Sequence, residues 1–404
     1  VSGAMSWPFL RLYMLALLYF SANALLNVLI PLQGAAWGAS SSTIGLVMGA
    51  YMFTTMFFRP WAGHLIQKHG PVKVLRLILL VNGAALILYT CTGLGGYLIA
   101  RILQGVSTAF FSMALQIGII DALPEKERSQ GISFYSLFSY IPGVIGPVVA
   151  LGLWQTGGMD SFTIIFVAIA ICTGVFGYSV KMDKETIPAE QSANRSGMFH
   201  SFGQIVKNPF LFKCSVLMLS ASIVFGAVTT FMPLYGSQLR SGSAGIYLML
   251  QAAVVVASRF LLRKRIPSDG KWHSFFIMGT MLLLTLAAVC ISISSEQGAV
   301  LLYTGAILMG IAQALLYPAL TTYLSFVLPP SNRNVLIGLF IAMADLGVSM
   351  GGVVMGPIAD YYSYSVMYMI CAVLSMIMVV VAYERRGSLA ASNQNHARES
   401  EGDA

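Results

Sequence analysis

Few residues in this chain could do chemistry, and they stand out because they interrupt long apolar runs. Arg101 sits in the stretch Arg101-Ile102-Leu103-Gln104-Gly105, and Asp345 in Ala344-Asp345-Leu346. An ionisable group inside such a run needs a partner or a watered cavity, which makes each a candidate site residue. Arg101 reads as an anchor for an anion or as a charge whose exposure changes during a conformational cycle. The competing reading is an arginine whose head group reaches out to lipid head groups. Asp345 reads equally as a carboxyl that takes and gives a proton and as a hydrogen-bond acceptor between helices.

Neutral polar residues extend this set. Asn23 and Asn27 are four apart, hence on one helix face, and Tyr19 continues the stripe. Their side chains could hold an amino or carboxylate group, or tie two helices together. Gln104 follows Arg101 by three residues, close to the same face; Gln116 lies further along that run. In the second half of the chain Gln251, Gln313, Tyr317 and Thr229 or Thr230 are the polar positions within apolar runs. The candidate binding set is therefore Tyr19, Asn23, Asn27, Arg101, Gln104, Gln313 and Tyr317. Asp121 closes an apolar run just before Pro124, Glu125, Glu127 and Arg128, where it reads as a proton-handling group, a conformational latch or a solvated pair.

No catalytic constellation accompanies these residues. The five histidines fall in polar segments and form no His-x3-His pair, and no Gly-x4-Gly-Lys-Ser/Thr phosphate loop occurs. The five cysteines, at 91, 172, 214, 290 and 371, are spaced for neither a disulfide framework nor a metal site. The expectation is a protein that is not an enzyme, holds no metal or cofactor, and draws its energy from an ion gradient.

The elements that must carry these residues follow from composition. Of 404 residues, 57% are hydrophobic and 9% charged, where soluble proteins carry about 25% charged residues. A mean hydropathy of +0.77 cannot be hidden inside a soluble core of this size. The chain reads as an all-α polytopic membrane protein. Apolar runs of about 20 residues suit spanning helices and do not alternate as barrel strands do.

Twelve spans are expected, near 9–33, 42–64, 73–92, 95–119, 131–154, 161–180, 211–235, 242–262, 273–293, 297–320, 335–357 and 364–383. They divide the chain into a first six-helix unit over 1–180, a connector over 181–210, a second six-helix unit over 211–386 and a disordered tail over 387–404. The first run is long enough to span, so no cleavable signal is expected. With the N-terminus in the cytoplasm, nineteen of the 23 basic residues fall in cytoplasmic segments and only Arg240 in an outer loop. The net charge of +8 is thus a topological signal rather than a nucleic-acid one, and both termini are expected in the cytoplasm.

The halves echo each other. Ile-Pro-Leu-Gln around Pro31 returns as Met-Pro-Leu-Tyr around Pro233, Arg59 returns as Arg259, and Pro124 and Arg128 return as Pro329 and Arg333. Parallel six-helix repeats with a site at the midplane are a transporter architecture. Arg59 and Arg259, near the cytoplasmic ends of corresponding spans, read as stabilisers of an inner gate.

These features resemble the major facilitator superfamily along nearly the whole chain. Gly63-His64-Leu65-Ile66-Gln67-Lys68-His69-Gly70-Pro71-Val72-Lys73 resembles its loop 2–3 signature, departing at Gln67 where the family has Asp. The resemblance implies gating roles for Gly63, Gly70 and Lys73. The Arg101–Gly105 stretch is similar to a fourth-span signature of proton-coupled members, which implies a coupling role for Arg101. Gly143-Val144-Ile145-Gly146-Pro147 partly resembles an antiporter signature in which Gly146 and Pro147 let helices pivot, although Ala150-Leu151 replaces its trailing glycines. Asp121, Pro124 and Arg128 look like the loop 4–5 pattern of exporters.

Within that superfamily, five stretches resemble bacterial exporters of staphylopine-type opine metallophores: AMSWPFLR at 4–11, YFSAN at 19–23, FRPWAG at 58–63, QIGIIDALP at 116–124 and TYLSFVLP at 322–329. The resemblance implies a monomeric proton antiporter of the bacterial inner membrane that exports a small polyacidic chelator as the apo-ligand, with protons and lipids as its other partners. Asp345 or Asp121 would carry the proton, and Arg128 and Arg333 would serve the gate. A multidrug efflux pump shares the antiporter-like signatures; a receptor or scaffold would leave the duplicated loops without a purpose.

Overall fold

The computed structural model of the protein describes residues 3–179, 205–267, 269–329 and 333–383. Among these residues the regular structure is helical throughout, with no strand. The connector beyond residue 179 up to 204 and the tail from 384 lie outside the described residues, so the expectations for them stay expectations.

The helices begin and end where local chemistry dictates. α1 (Trp7–Ala36) carries Pro in its first turn, where a missing N–H is harmless. α2 (Ser41–His69) starts at the N-cap Ser40, whose hydroxyl accepts from the Thr43 N–H at 3.2 Å. Gly70, at φ 84°, ends α2 and lets the chain turn directly into α3 (Pro71–Cys91). α4 (Leu94–Ala122) follows. The helical run Glu125–Ser179 breaks at Gly158 (φ 54°, ψ −141°), a conformation that suits glycine, which divides it into α5 (125–157) and α6 (159–179). α7 (Pro209–Gly236) combines a leading proline with Asn208, whose side-chain oxygen accepts from Phe210 and Leu211 N–H at 3.1 Å each. α8 (Ala244–Leu261), α9 (Ser274–Gln297), α10 (Ala299–Val327) and α11 (Arg333–Val353) precede a short α12 (Met355–Tyr361) and α13 (Tyr364–Ala382).

Eleven helical stretches are long and apolar enough to cross a membrane. One of them, Lys126–Ser179, has 54 residues, or about 80 Å at 1.5 Å per residue, and breaks midway, so it crosses twice. The twelve crossings fall where the apolar runs lie. They differ chiefly at polar ends: α5 begins at Glu125, not 131, because Glu, Lys and Arg continue a helix beyond the apolar layer. An even number of crossings brings both chain ends to one end of the bundle, here the terminal end; the opposite one is the far end.

In the first half α1 packs on α5 and α2 on α4; in the second, α7 on α11 and α8 on α10. The halves meet along two seams, α2 against α11 and α5 against α8, with α1 touching α7. Glycines allow this approach. A Cβ on Gly45 would stand 2.1 Å from the Gly352 carbonyl oxygen, one on Gly49 2.7 Å from that of Ser349, and one on Gly245 3.2 Å from that of Pro147.

The buried core shows how the halves are joined. Leu29, Ile30, Ile44 and Val47, from the far part of the first half, belong to one continuous cluster with Val228, Phe231 and Met232 of the second. At the terminal end the first half has a separate cluster, with Phe9, Leu12, Tyr13, Phe111, Leu115 and Tyr135. The seam is therefore sealed at the far end and divided at the terminal end.

Candidate functional site

Arg101 enters the interior from α4, about 10 Å along the helix from its far-end start. The next glycine on its helix brings it there: a Cβ on Gly105 would lie 2.5 Å from the Tyr51 carbonyl oxygen, so α4 can lie directly against α2. The Arg101 side chain is fully buried. One Nη donates to Asn23 Oδ1 at 3.0 Å; the other donates to Asn27 Oδ1 at 2.9 Å and to Met48 Sδ at 3.3 Å. The guanidinium carbon stands 5.2 Å from the Tyr51 ring centroid, over its face. Its Nε is buried without a partner among the described residues.

The two asparagines thus stand on one α1 face as their spacing predicts, and both spend their carbonyl oxygens on Arg101. Asn23 Nδ2 then donates to the Tyr51 hydroxyl at 2.9 Å, which donates to Thr108 Oγ1 at 3.1 Å. Tyr19 joins at the other side, its hydroxyl 2.9 Å from Thr108 Oγ1 and its ring stacked on Phe111 at 3.8 Å. A cation held only by amides, a thioether and an aromatic face keeps an uncompensated positive charge. Burying that charge is costly unless an anion shares the site.

A second ionic element lies deeper. Arg59 on α2 donates from Nε to Asp345 Oδ2 on α11 at 2.7 Å, bridging the halves. Arg59 is eight residues from Tyr51, or about 12 Å along the helix toward the terminal end. The sequence places Arg59 near the cytoplasmic end of its span, but α2 runs ten residues beyond it and the pair occupies the middle of the seam. Asp345 here accepts a bond between helices, one of the two roles its sequence context allows. On the other seam Arg259 of α8 donates from Nη1 to the Tyr140 hydroxyl of α5, with its guanidinium carbon 4.7 Å from that ring's centroid.

The remaining candidates disperse. Gln104 turns to α3, its Oε1 accepting from the Tyr89 hydroxyl at 2.8 Å. In the second half Gln313 Oε1 accepts from Gln251 Nε2 at 3.1 Å, and Tyr317 stacks on Phe340 with centroids 6.0 Å apart. Asp121 stands at the end of α4, some 30 Å from Arg101 along the helix. Arg128 Nε donates to the Leu123 carbonyl at 3.2 Å, and Arg333 opens α11. Gly63 has its nearest neighbour, Met113 Cε, 3.9 Å from an added Cβ, so packing does not demand glycine there. Lys73 is exposed on the first turn of α3. Gly146 faces Ala24 of α1, whose Cβ would lie 2.7 Å from its own, and the adjoining Pro147 presents its carbonyl to Gly245.

Tyr51, Thr108, Met48 and Tyr140 escaped the sequence reading. Thr108 lies seven residues after Arg101, two helical turns along the same face, so helical periodicity could have found it. Tyr140 lies 205 residues before Asp345, the spacing that also separates Pro124 from Pro329, so the internal repeat pointed to it.

A twelve-crossing bundle of two repeated halves, with a buried charged site between helices and no group of three or more potential metal-ligating side chains among the described residues, is a membrane transporter by architecture. The chain belongs to the Major Facilitator Superfamily, whose family model matches residues 12–295 and 271–401. It is accordingly a secondary-active transporter of the bacterial cell membrane and not an enzyme. The chain is 51% identical over 394 residues to the staphylopine export protein of Staphylococcus aureus, covering 96% of this chain and 98% of the relative. Among solved structures, a mutant of the nucleoside transporter NupG superposes with a TM-score of 0.77 at 16% identity, covering 93% of this chain and 98% of that one. A bacterial homolog of the human lysosomal transporter Spinster, inward-facing and unoccupied, gives 0.69 at 14% identity, covering 93% and 94%.

Proposed function

We propose that this protein exports a small polyacidic opine-type metallophore, as the apo-ligand, by alternating access in exchange for protons. The observation that carries this reading is the 51% identity to a staphylopine export protein along 96% of the chain. The site supports it: a cation with neutral partners and an unpartnered Nε suits a ligand carboxylate, which accepts side-on from Nε and one Nη.

In this reading Arg101 anchors a carboxylate, and Asn23, Asn27 and Tyr19 hold and align it. Gln104, Gln313 and Tyr317 contact the cargo once their present partners release them. The terminal end faces the cytoplasm: Lys68, Lys73, Arg76, Lys126, Arg128, Lys264, Arg265 and Lys271 cluster there, against Arg240 at the far end. The seam sealed at the far end and divided at the terminal end then corresponds to an inward-facing carrier, ready to load. Asp345, released from Arg59 when the seam parts, carries the proton; Asp121 is the alternative carrier. Gly63, Gly70, Lys73, Arg128, Gly146, Pro147, Arg259 and Arg333 serve the rearrangement, and one monomer suffices.

The test is mass spectrometry of medium and cell extract from a strain lacking this gene, grown without zinc. The expected result is a chelator lost from the medium, accumulated in cells, and restored by the wild-type gene but not by Arg101→Ala. Unchanged secretion in a strain without a second exporter would reject the metallophore as cargo.

A further inference from the structure

The strongest polar contact between the halves at the far end uses a residue to which nothing above gives a role. Asp360, on α12 of the second half, reaches across to the N-terminus of α2 in the first. Its Oδ1 accepts from the Ser41 N–H at 2.7 Å, and its Oδ2 accepts from the Ser42 N–H at 2.8 Å and from the Ser42 hydroxyl at 2.5 Å. The first backbone donors of a helix have no intrahelical partner and carry its positive dipole end. Here they are divided between two owners. Ser40 satisfies Thr43 and Ile44 from within the first half, while the donors of Ser41 and Ser42 are satisfied from the other half.

The surroundings make this a joint rather than a chance surface contact. The Ser41 hydroxyl is 3.0 Å from that of Tyr364, also in the second half. A Cβ on Gly356 would lie 2.7 Å from the Ser41 carbonyl oxygen, so the same turn of α12 must come close. Directly beneath, Gly45 and Gly352 close the seam backbone to backbone.

We infer that Asp360 is a positioning residue of the transport cycle, the clasp that holds the far end shut by capping a helix of the opposite half. The opening of the far end separates α2 from α12, so the two N–H groups lose their carboxylate once in every cycle. Backbone donors do not titrate, so the grip depends on the charge of this one carboxylate. The titratable group facing it is Tyr364 of α13; from α2 it meets only Ser41 and Ser42. Protonation removes the charge and one acceptor, so acid at the far end loosens the clasp.

Among the described residues the clasp is made on one seam only. Asp160 lies 200 residues before Asp360, at the start of α6, and is exposed. The corresponding N-terminus, that of α8, takes its bond from the same half, where the Ser243 N–H donates to the Tyr303 hydroxyl at 3.0 Å. At the far end, among the described residues, the α2–α12 seam is thus the one whose opening breaks charge-assisted bonds.

The experiment measures distance across the far end of the full-length, cysteine-free protein in proteoliposomes, spin-labelled at Trp37→Cys and Val300→Cys, both exposed positions. No cargo is added, so the result is independent of what the protein exports. Asp360→Asn is expected to raise the far-open to far-closed ratio about tenfold at neutral pH, the effect of losing one charge-assisted hydrogen bond. Ser42→Ala should shift it in the same direction by less, and Asp360→Glu should restore part of the closed population. As the pH falls into the carboxylate range, wild type should gain more far-open population than Asp360→Asn, whose remaining response is that of Asp345. Asp269→Asn, an exposed carboxylate at the terminal end, controls for net charge. An unchanged distribution in monodisperse Asp360→Asn, or equal pH responses of wild type and variant, would overturn the inference.

Discussion

At the scale of single residues, the site is organised around a charge that the protein leaves uncompensated. Asn23 and Asn27 orient Arg101 without neutralising it, and in the proposed function the counter-charge is the cargo's carboxylate. Asn27→Asp places a carboxylate where an amide oxygen now stands, 2.9 Å from the guanidinium. It should form an internal ion pair and lower apparent affinity for an anionic cargo at least tenfold while leaving the fold intact, read by uptake into inverted vesicles. Arg101→Lys should lose as much, because one ammonium on a flexible stem cannot hold the two amides and the ring together. The loss of two charge-assisted hydrogen bonds at about 1.5–3 kcal/mol each sets an upper bound on the order of ten-thousandfold. Arg101, Asn23 and Asn27 were legible in sequence because charge and amide are rare in apolar runs. Tyr51 was not, since tyrosine is ordinary in a membrane helix and only the packing of α2 on α4 puts its ring under Arg101.

At the scale of helices, hydropathy recovered each crossing but not each helix end. It reads the apolar layer and misses turns that continue beyond it, as at Glu125, or a mid-helix position such as that of Arg59. Small residues that mark the seams were equally silent: of 39 glycines, sequence offers no way to tell Gly45, which touches the opposite half, from Gly63, which has room. Gly45→Val should therefore act out of proportion to its size. With the Gly352 carbonyl oxygen 2.1 Å from the added Cβ, α2 and α11 cannot close as they do now. Overpacking of this kind costs about 1–3 kcal/mol. The expected result is a folded carrier biased toward a far-open state, seen as increased labelling at Ser349→Cys by a membrane-impermeant maleimide. The same valine at Gly83, where an added Cβ meets nothing within 4 Å, should change labelling little.

At the scale of the whole molecule, the repeat places an arginine on each seam, at 59 and 259, but gives them different partners. Asp345 answers Arg59 with a carboxylate, whereas Tyr140 answers Arg259 with a hydroxyl. Transport should register this difference. Asp345→Asn is expected to flatten the pH dependence of transport, while Tyr140→Phe changes its rate and leaves the pH profile in place. Equal profiles for both variants would show that the ionic seam has no special part in coupling. The duplication was visible in sequence, but the point where the copies diverge appears only when Asp345 and Tyr140 are seen to answer corresponding arginines.

The core that runs unbroken across the far end has a thermal consequence. Parting the halves there withdraws Leu29, Ile44, Val228 and Phe231 from one another, and closing the terminal end buries a different apolar set. Apolar contact with water carries a large heat capacity and weakens as a driving force on cooling. The balance between the two states of the carrier is then a curve in temperature, whose bend measures the difference in oily surface wetted at the two ends. A carrier that wets more surface when open outward should drift toward that state in the cold.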